Sequence, residues 1–95
     1  MEKRFFVYIM TNRKDGVLYV GMTNDIQRRV TENKEGINPG FTKQYNLNRL
    51  IFYEEHLESR LAIQREKNIK AWKRQWKVDL IQNENPEWHD LSLDF

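Results

Sequence analysis

The sequence predicts a small single α+β domain with a three-stranded antiparallel sheet flanked by helices, and two observations carry that expectation. Three short runs are rich in β-branched and aromatic residues, and two of them face each other across the turn-forming stretch "NRKDG". Helix signals lie between and after the runs, so helices packed on a sheet are the natural layered solution. At 95 residues the chain has the size of one domain, residues 1–95, and it shows no internal repeat or low-complexity segment.

Each element has its own signal. Arg4 to Thr11 places Phe5, Val7 and Ile9 against Phe6, Tyr8 and Met10, which suits a strand covered on both faces. Asn, Asp and Gly close a turn, and Val17 to Gly21 returns as the second strand of a hairpin. The loop can close at more than one residue pair, so which tyrosine faces which side stays open. Asn24, followed three residues later by Gln27, predicts a helix start, with Ile26 and Val30 inward and an end at Asn33 or Lys34. Gly36, Pro39 and Gly40 stop it. "FTKQYNL" reads as a short helical turn, Arg49 to Glu55 as the third strand, and the chain from Leu57 or Ser59 to Gln82 as one long amphipathic helix. "NENPEW" breaks that helix, and Trp88, Leu91 and Leu93 fold back as a C-terminal cap.

Composition excludes several classes. With no cysteine there is no disulfide, thiolate metal site or cysteine nucleophile, as in a reducing compartment. The apolar run after Arg4 is too short for a secretory signal, and no segment is long enough to span a bilayer. The expectation is a soluble, cytoplasmic protein with no membrane partner. A formal charge of +2 only mildly favours polyanions, but residues 65–77 hold six Lys or Arg and one acid, whereas the chain after Asp79 is acidic.

Glu66 is the most informative single residue. It lies four residues after Ala62 and three before Ile69, on the same helix face as the apolar stripe. A carboxylate there is costly to desolvate unless it meets a cation, a metal or a cleft open to water, and Arg65 and Lys70 are the ordinary partners. Arg29 is similar: next to Val30 it borders the buried side of its helix and must snorkel outward or point into a cleft. Tyr8 and Tyr19 taken singly read as sheet core, and Trp72 and Trp76 as a continuation of the helix stripe. His56 and His89 have no ligand spacing, and no hydroxyl has a legible His and Asp arrangement.

Taken together and in order, "FVY" at Phe6 to Tyr8, "YVG" at Tyr19 to Gly21, Arg29 ten residues after the second tyrosine, and Glu66 on a later helix resemble the GIY-YIG nuclease superfamily. The resemblance covers almost the whole chain. "FTKQYNLNRLIFYEE", "REKNIKAWKRQWKVDLI" and "NPEWHDL" are similar to its small stand-alone endonuclease-type members. Three positions depart from the pattern. Phe-Val-Tyr stands for Gly-Ile-Tyr, Asn33 stands where relatives commonly carry His or Tyr, and the region around Lys77 lacks the asparagine of repair-type members. An amide cannot carry a proton, so no base is expected at Asn33.

The resemblance implies a metal-dependent endonuclease that hydrolyses phosphodiester bonds, with DNA favoured over RNA. Tyr8, Tyr19, Arg29 and Glu66 would be catalytic, and Glu66 would hold Mg²⁺ or Mn²⁺ through one carboxylate, with water and phosphate oxygen completing the shell. Arg29 would neutralise charge developing on the phosphate, and one tyrosine would orient or deprotonate the attacking water. A free tyrosine, with a pKa of ~10, needs a nearby cation for that task. Gly21, Arg28, Lys70 and Lys73 are the candidate nucleic-acid contacts, setting affinity rather than sequence choice. Specificity is expected to be low, set by substrate shape such as single strands or branches, or supplied by a protein partner. Trp72, Tyr45 or Phe41, where exposed, would stack on unpaired bases. The alternative is a nucleic-acid-binding module of the same fold with weak or no catalysis.

Overall fold

The sheet is built outward from its first strand. In the computed structural model, which describes residues 3–37 and 44–95, β1 (Phe5–Thr11) pairs antiparallel with β2 (Leu18–Thr23) on one side and β3 (Arg49–His56) on the other. The sheet order is therefore β2-β1-β3. The hairpin register is settled: Tyr8 pairs with Gly21, and Met10 with Tyr19.

Side chains of β1 alternate between two cores. Val7 and Ile9 join Ala62, Ile69, Ile81 and Trp88 in one, while Tyr8 and Met10 join Ile26, Val30, Leu47 and Leu50 in the other. A register shift between Ile9 and Met10 leaves Ile51 unpaired, and it shares the first core with its neighbour Phe52. A β-bulge has this effect: it turns consecutive residues toward one side.

Helix α1 (Ile26–Lys34) covers the Tyr8 side through Ile26 and Val30. Its N-cap is Asp25 rather than Asn24, because the Asp25 carboxylate accepts the Arg28 backbone N–H at 3.1 Å. Asp and Asn cap equally well, and Thr23 selects between the adjacent residues. Its hydroxyl accepts the Asp25 N–H at 3.1 Å and fixes the approach to the helix. Residues 41–43 of the "FTKQYNL" turn lie outside the described residues.

The expected single long helix is two helices. Helix α2 (Ser59–Ala71) ends at Trp72, and α3 (Arg74–Glu84) starts after Lys73, both linking residues being extended with ψ of 147° and 155°. Neither glycine nor proline marks the break. Tertiary packing overrides local propensity: Trp72 packs partly against the first core, and the change of direction brings Ile81 fully into it. Trp76, expected on the buried stripe, is instead 51% exposed. Arg74 fastens the start of α3 to the hairpin turn, its Nη2 donating to the carbonyls of Asp15 and Gly16 at 3.0 and 2.7 Å.

The C-terminal segment folds back as expected and is held by polar hubs. The Asn85 side chain donates to the Ile51 and His89 carbonyls and accepts the His89 N–H. Trp88 is fully buried, whereas Leu93, in the closing 3₁₀ helix Leu91–Asp94, is exposed.

Candidate active site

The register explains why a tyrosine and a glycine face each other at the centre of the hairpin. A Cβ on Gly21 would stand 2.5 Å from the Tyr8 hydroxyl oxygen, 2.6 Å from its Cζ and 2.9 Å from Cε1 of Tyr19. The missing side chain is thus the space in which the Tyr8 ring lies, and the glycine positions the tyrosines. Tyr19, two residues back on the same face of β2, tilts toward Tyr8 with ring centroids 6.2 Å apart.

Tyr8 is 1% exposed, and burial is the main reason its phenol is pushed well above the ordinary tyrosine range. The neighbouring Tyr19 and the Glu66 carboxylate push the same way, while Arg29 opposes them through its charge and hydrogen bonding. One hydroxyl therefore responds to Tyr19, Arg29 and Glu66. These are the four residues expected to converge.

Arg29 reaches this place from the border of the α1 apolar face. Its Nε is buried without a hydrogen-bond acceptor, and the nearest carboxylate, Glu32, stands one helical turn away at 3.6 Å. Part of the guanidinium's donor capacity is thus unused in a protected position. Glu66 sits on α2 between Ala62 and Ile69, both fully buried, with its own side chain 21% exposed. Lys70, one turn on, pairs with it at 3.0 Å. This is one of the ordinary partners that spacing allows, and it neutralises a carboxylate set in an apolar stripe.

Of the other expected contacts, Arg28 is exposed on α1, and Lys73 occupies the N-cap position of α3 without a side-chain capping bond, its ammonium lying 5.2 Å from the centroid of the Trp76 ring. Asn33 is buried, and its amide nitrogen lies 2.9 Å from the Met10 sulfur, inside the second core. Among the described residues, no group of three or more His, Asp or Glu is arranged to hold a metal ion. Glu66 is nonetheless a hard oxygen donor, and a single carboxylate suits Mg²⁺ or Mn²⁺ when water and phosphate supply the remaining ligands. Sequence reasoning missed the linkage behind the site. Arg65 binds Glu54 of β3 in bidentate fashion, at 3.0 and 3.2 Å, and lies 5.3 Å from the Trp72 ring centroid, which ties α2 to the sheet.

This hairpin, with an arginine from the first helix and a glutamate from a later one, is the arrangement of a GIY-YIG catalytic domain, and the model of that family matches residues 4–79. The chain belongs to the GIY-YIG family, a nuclease family. It is 33% identical to a UPF0213 protein of Staphylococcus epidermidis over 82 residues, covering 86% of this chain and 98% of that one. A UPF0213 protein of Staphylococcus aureus is 36% identical over 76 residues, 80% of this chain and 92% of that one. The solution NMR structure of a UPF0213 protein from Bacillus halodurans is similar with a TM-score of 0.58 and 25% identity, over 92% of both chains. Among the described residues, no helix is long and apolar enough to cross a membrane.

Proposed function

We propose that this protein is a divalent-metal-dependent endonuclease that hydrolyses phosphodiester bonds of DNA, with Tyr8, Tyr19, Arg29 and Glu66 as its catalytic residues. The observation that carries the proposal is the cluster on the hairpin: Tyr8 fills the space over Gly21 with Tyr19 6.2 Å away, and its hydroxyl, raised in pKa mainly by burial, also feels the charges of Arg29 and Glu66. In the reaction a water oxygen bonds to phosphorus and gives up a proton to solvent, one bridging P–O bond breaks, and the departing sugar oxygen takes a proton up.

The roles follow from the environment of each group. Tyr8 is held as a neutral phenol, so it donates a hydrogen bond to the attacking water or a phosphate oxygen rather than removing a proton. The Arg29 side chain is about one-third exposed, and its guanidinium would place positive charge beside an equatorial phosphate oxygen, where charge develops in the transition state. Glu66 would hold Mg²⁺ or Mn²⁺, which supplies positive charge at the phosphate and the leaving oxygen. Lys70 and Lys73, with Arg28 on α1, contribute to affinity through phosphate contacts. Asn33 has no part in proton transfer, since its amide is directed into the core.

Glu66→Gln tests the proposal against a binding module of the same fold when cleavage and binding are measured side by side. Cleavage of labelled DNA is expected to fall at least ~100-fold while low-salt binding persists. Equal cleavage by the variant and the unaltered protein contradicts the assignment.

A further inference from the structure

We propose that Trp76 and the groove beside it bind one unpaired nucleobase, so that single-stranded nucleic acid is the ligand of this surface; the inference rests on the nucleic-acid reading of the candidate active site. The break between α2 and α3 creates the feature. It turns Trp76 outward, 51% exposed, beside a groove lined also by Trp72, Asp79, Leu80 and Asn83.

The platform is braced from behind. Trp72 meets Trp76 edge-on, with centroids 6.2 Å apart and planes at 77°. Trp72 is itself covered by the Arg65 guanidinium, which the two bonds to Glu54 hold in place. A ring fixed in this way loses little freedom when a base stacks on it.

Charge selects the occupant. Lys73 rests its ammonium against the Trp76 ring, and Lys77 follows the indole directly on α3. A nucleotide satisfies both features at once: its base takes the ring face, and the flexible lysine moves from the ring to the phosphate. An apolar peptide would leave those cations without partners. A paired base in a duplex is already stacked and cannot offer its face. Asp79 and Asn83, one turn apart on α3, give the groove an acceptor and an amide for the base edge.

The test uses Glu66→Gln protein in chelator, so that no cutting intervenes, with a fluorescein-labelled oligothymidylate octamer and an abasic octamer of the same charge. Anisotropy and tryptophan fluorescence report binding. The octamer with bases is expected to quench fluorescence and to bind about tenfold more tightly than the abasic one. Trp76→Ala should remove most of that preference, and Trp76→Phe should keep part of it. Equal binding of the two octamers, or an unchanged preference in Trp76→Ala, overturns the inference while leaving the nuclease proposal standing if wild-type protein still cuts DNA. Failure of both octamers and of duplex DNA to bind at low salt overturns both.

Discussion

Tyr8 and Gly21 form a matched pair, because the ring occupies the volume that any side chain at position 21 would need. Gly21→Ala is expected to push a buried ring off its position and destabilise the fold by about 1–3 kcal/mol, measurable by urea denaturation. Tyr8→Phe keeps the ring and removes the donor. Its expected signature is intact stability with cleavage reduced ~100-fold, and a full loss of folding would instead mark the hydroxyl as structural. Burial raises the Tyr8 pKa, so the folded protein keeps this proton above the pH at which an unfolded tyrosine loses it. The resulting stabilisation is complete below pH ~10 and is lost as pH rises further, which agrees with a donor role near neutrality. At this scale much was legible in the residues. Glu66 on an apolar stripe and Arg29 beside Val30 are anomalies of spacing, but a glycine that makes room for one particular ring becomes visible only when the register is known.

The elements divide by how local their signals are. Strand alternation and the helix start lie within a few residues, and the corresponding elements form within a residue or two of their expected bounds. The α2–α3 break has no local signal, since "KAWKRQW" contains no helix breaker. It arises from the packing of Trp72 and Ile81, and it changes Trp76 from an expected core residue into a surface one. The C-terminal segment is fastened by Asp90, which accepts from Lys34 at 2.8 Å, from the Leu50 N–H at 3.2 Å and from Ser92. Burial works against ionisation of Asp90, but these bonds outweigh it and hold its carboxyl below the usual 3.8. Its contribution is therefore complete above pH 3.8 and is lost as the pH falls through the lowered value. Asp90→Asn should cost about 1–2 kcal/mol at neutral pH, and the gap in Tm between it and the unaltered protein should narrow in acid.

Across the whole molecule, two cores on opposite sides of a three-stranded sheet hold the catalytic candidates at fixed positions. Tyr8 belongs to the core covered by α1, and Glu66 to a helix anchored in the other, yet the Glu66 charge acts on the Tyr8 hydroxyl. The ordered set of motifs made this convergence legible, because each motif resides on an element whose place the family fold specifies. Glu66 pairs with Lys70 at 3.0 Å, an ion pair that a cation bound by the carboxylate would displace. The most direct test of the central claim is cleavage of end-labelled single- and double-stranded DNA and RNA with Mg²⁺, with Mn²⁺ and with chelator. The account predicts cutting of DNA in the presence of either metal, abolished by chelator and restored when metal is returned. Failure to cut any of the four substrates in either metal, by folded protein that binds DNA, would contradict it.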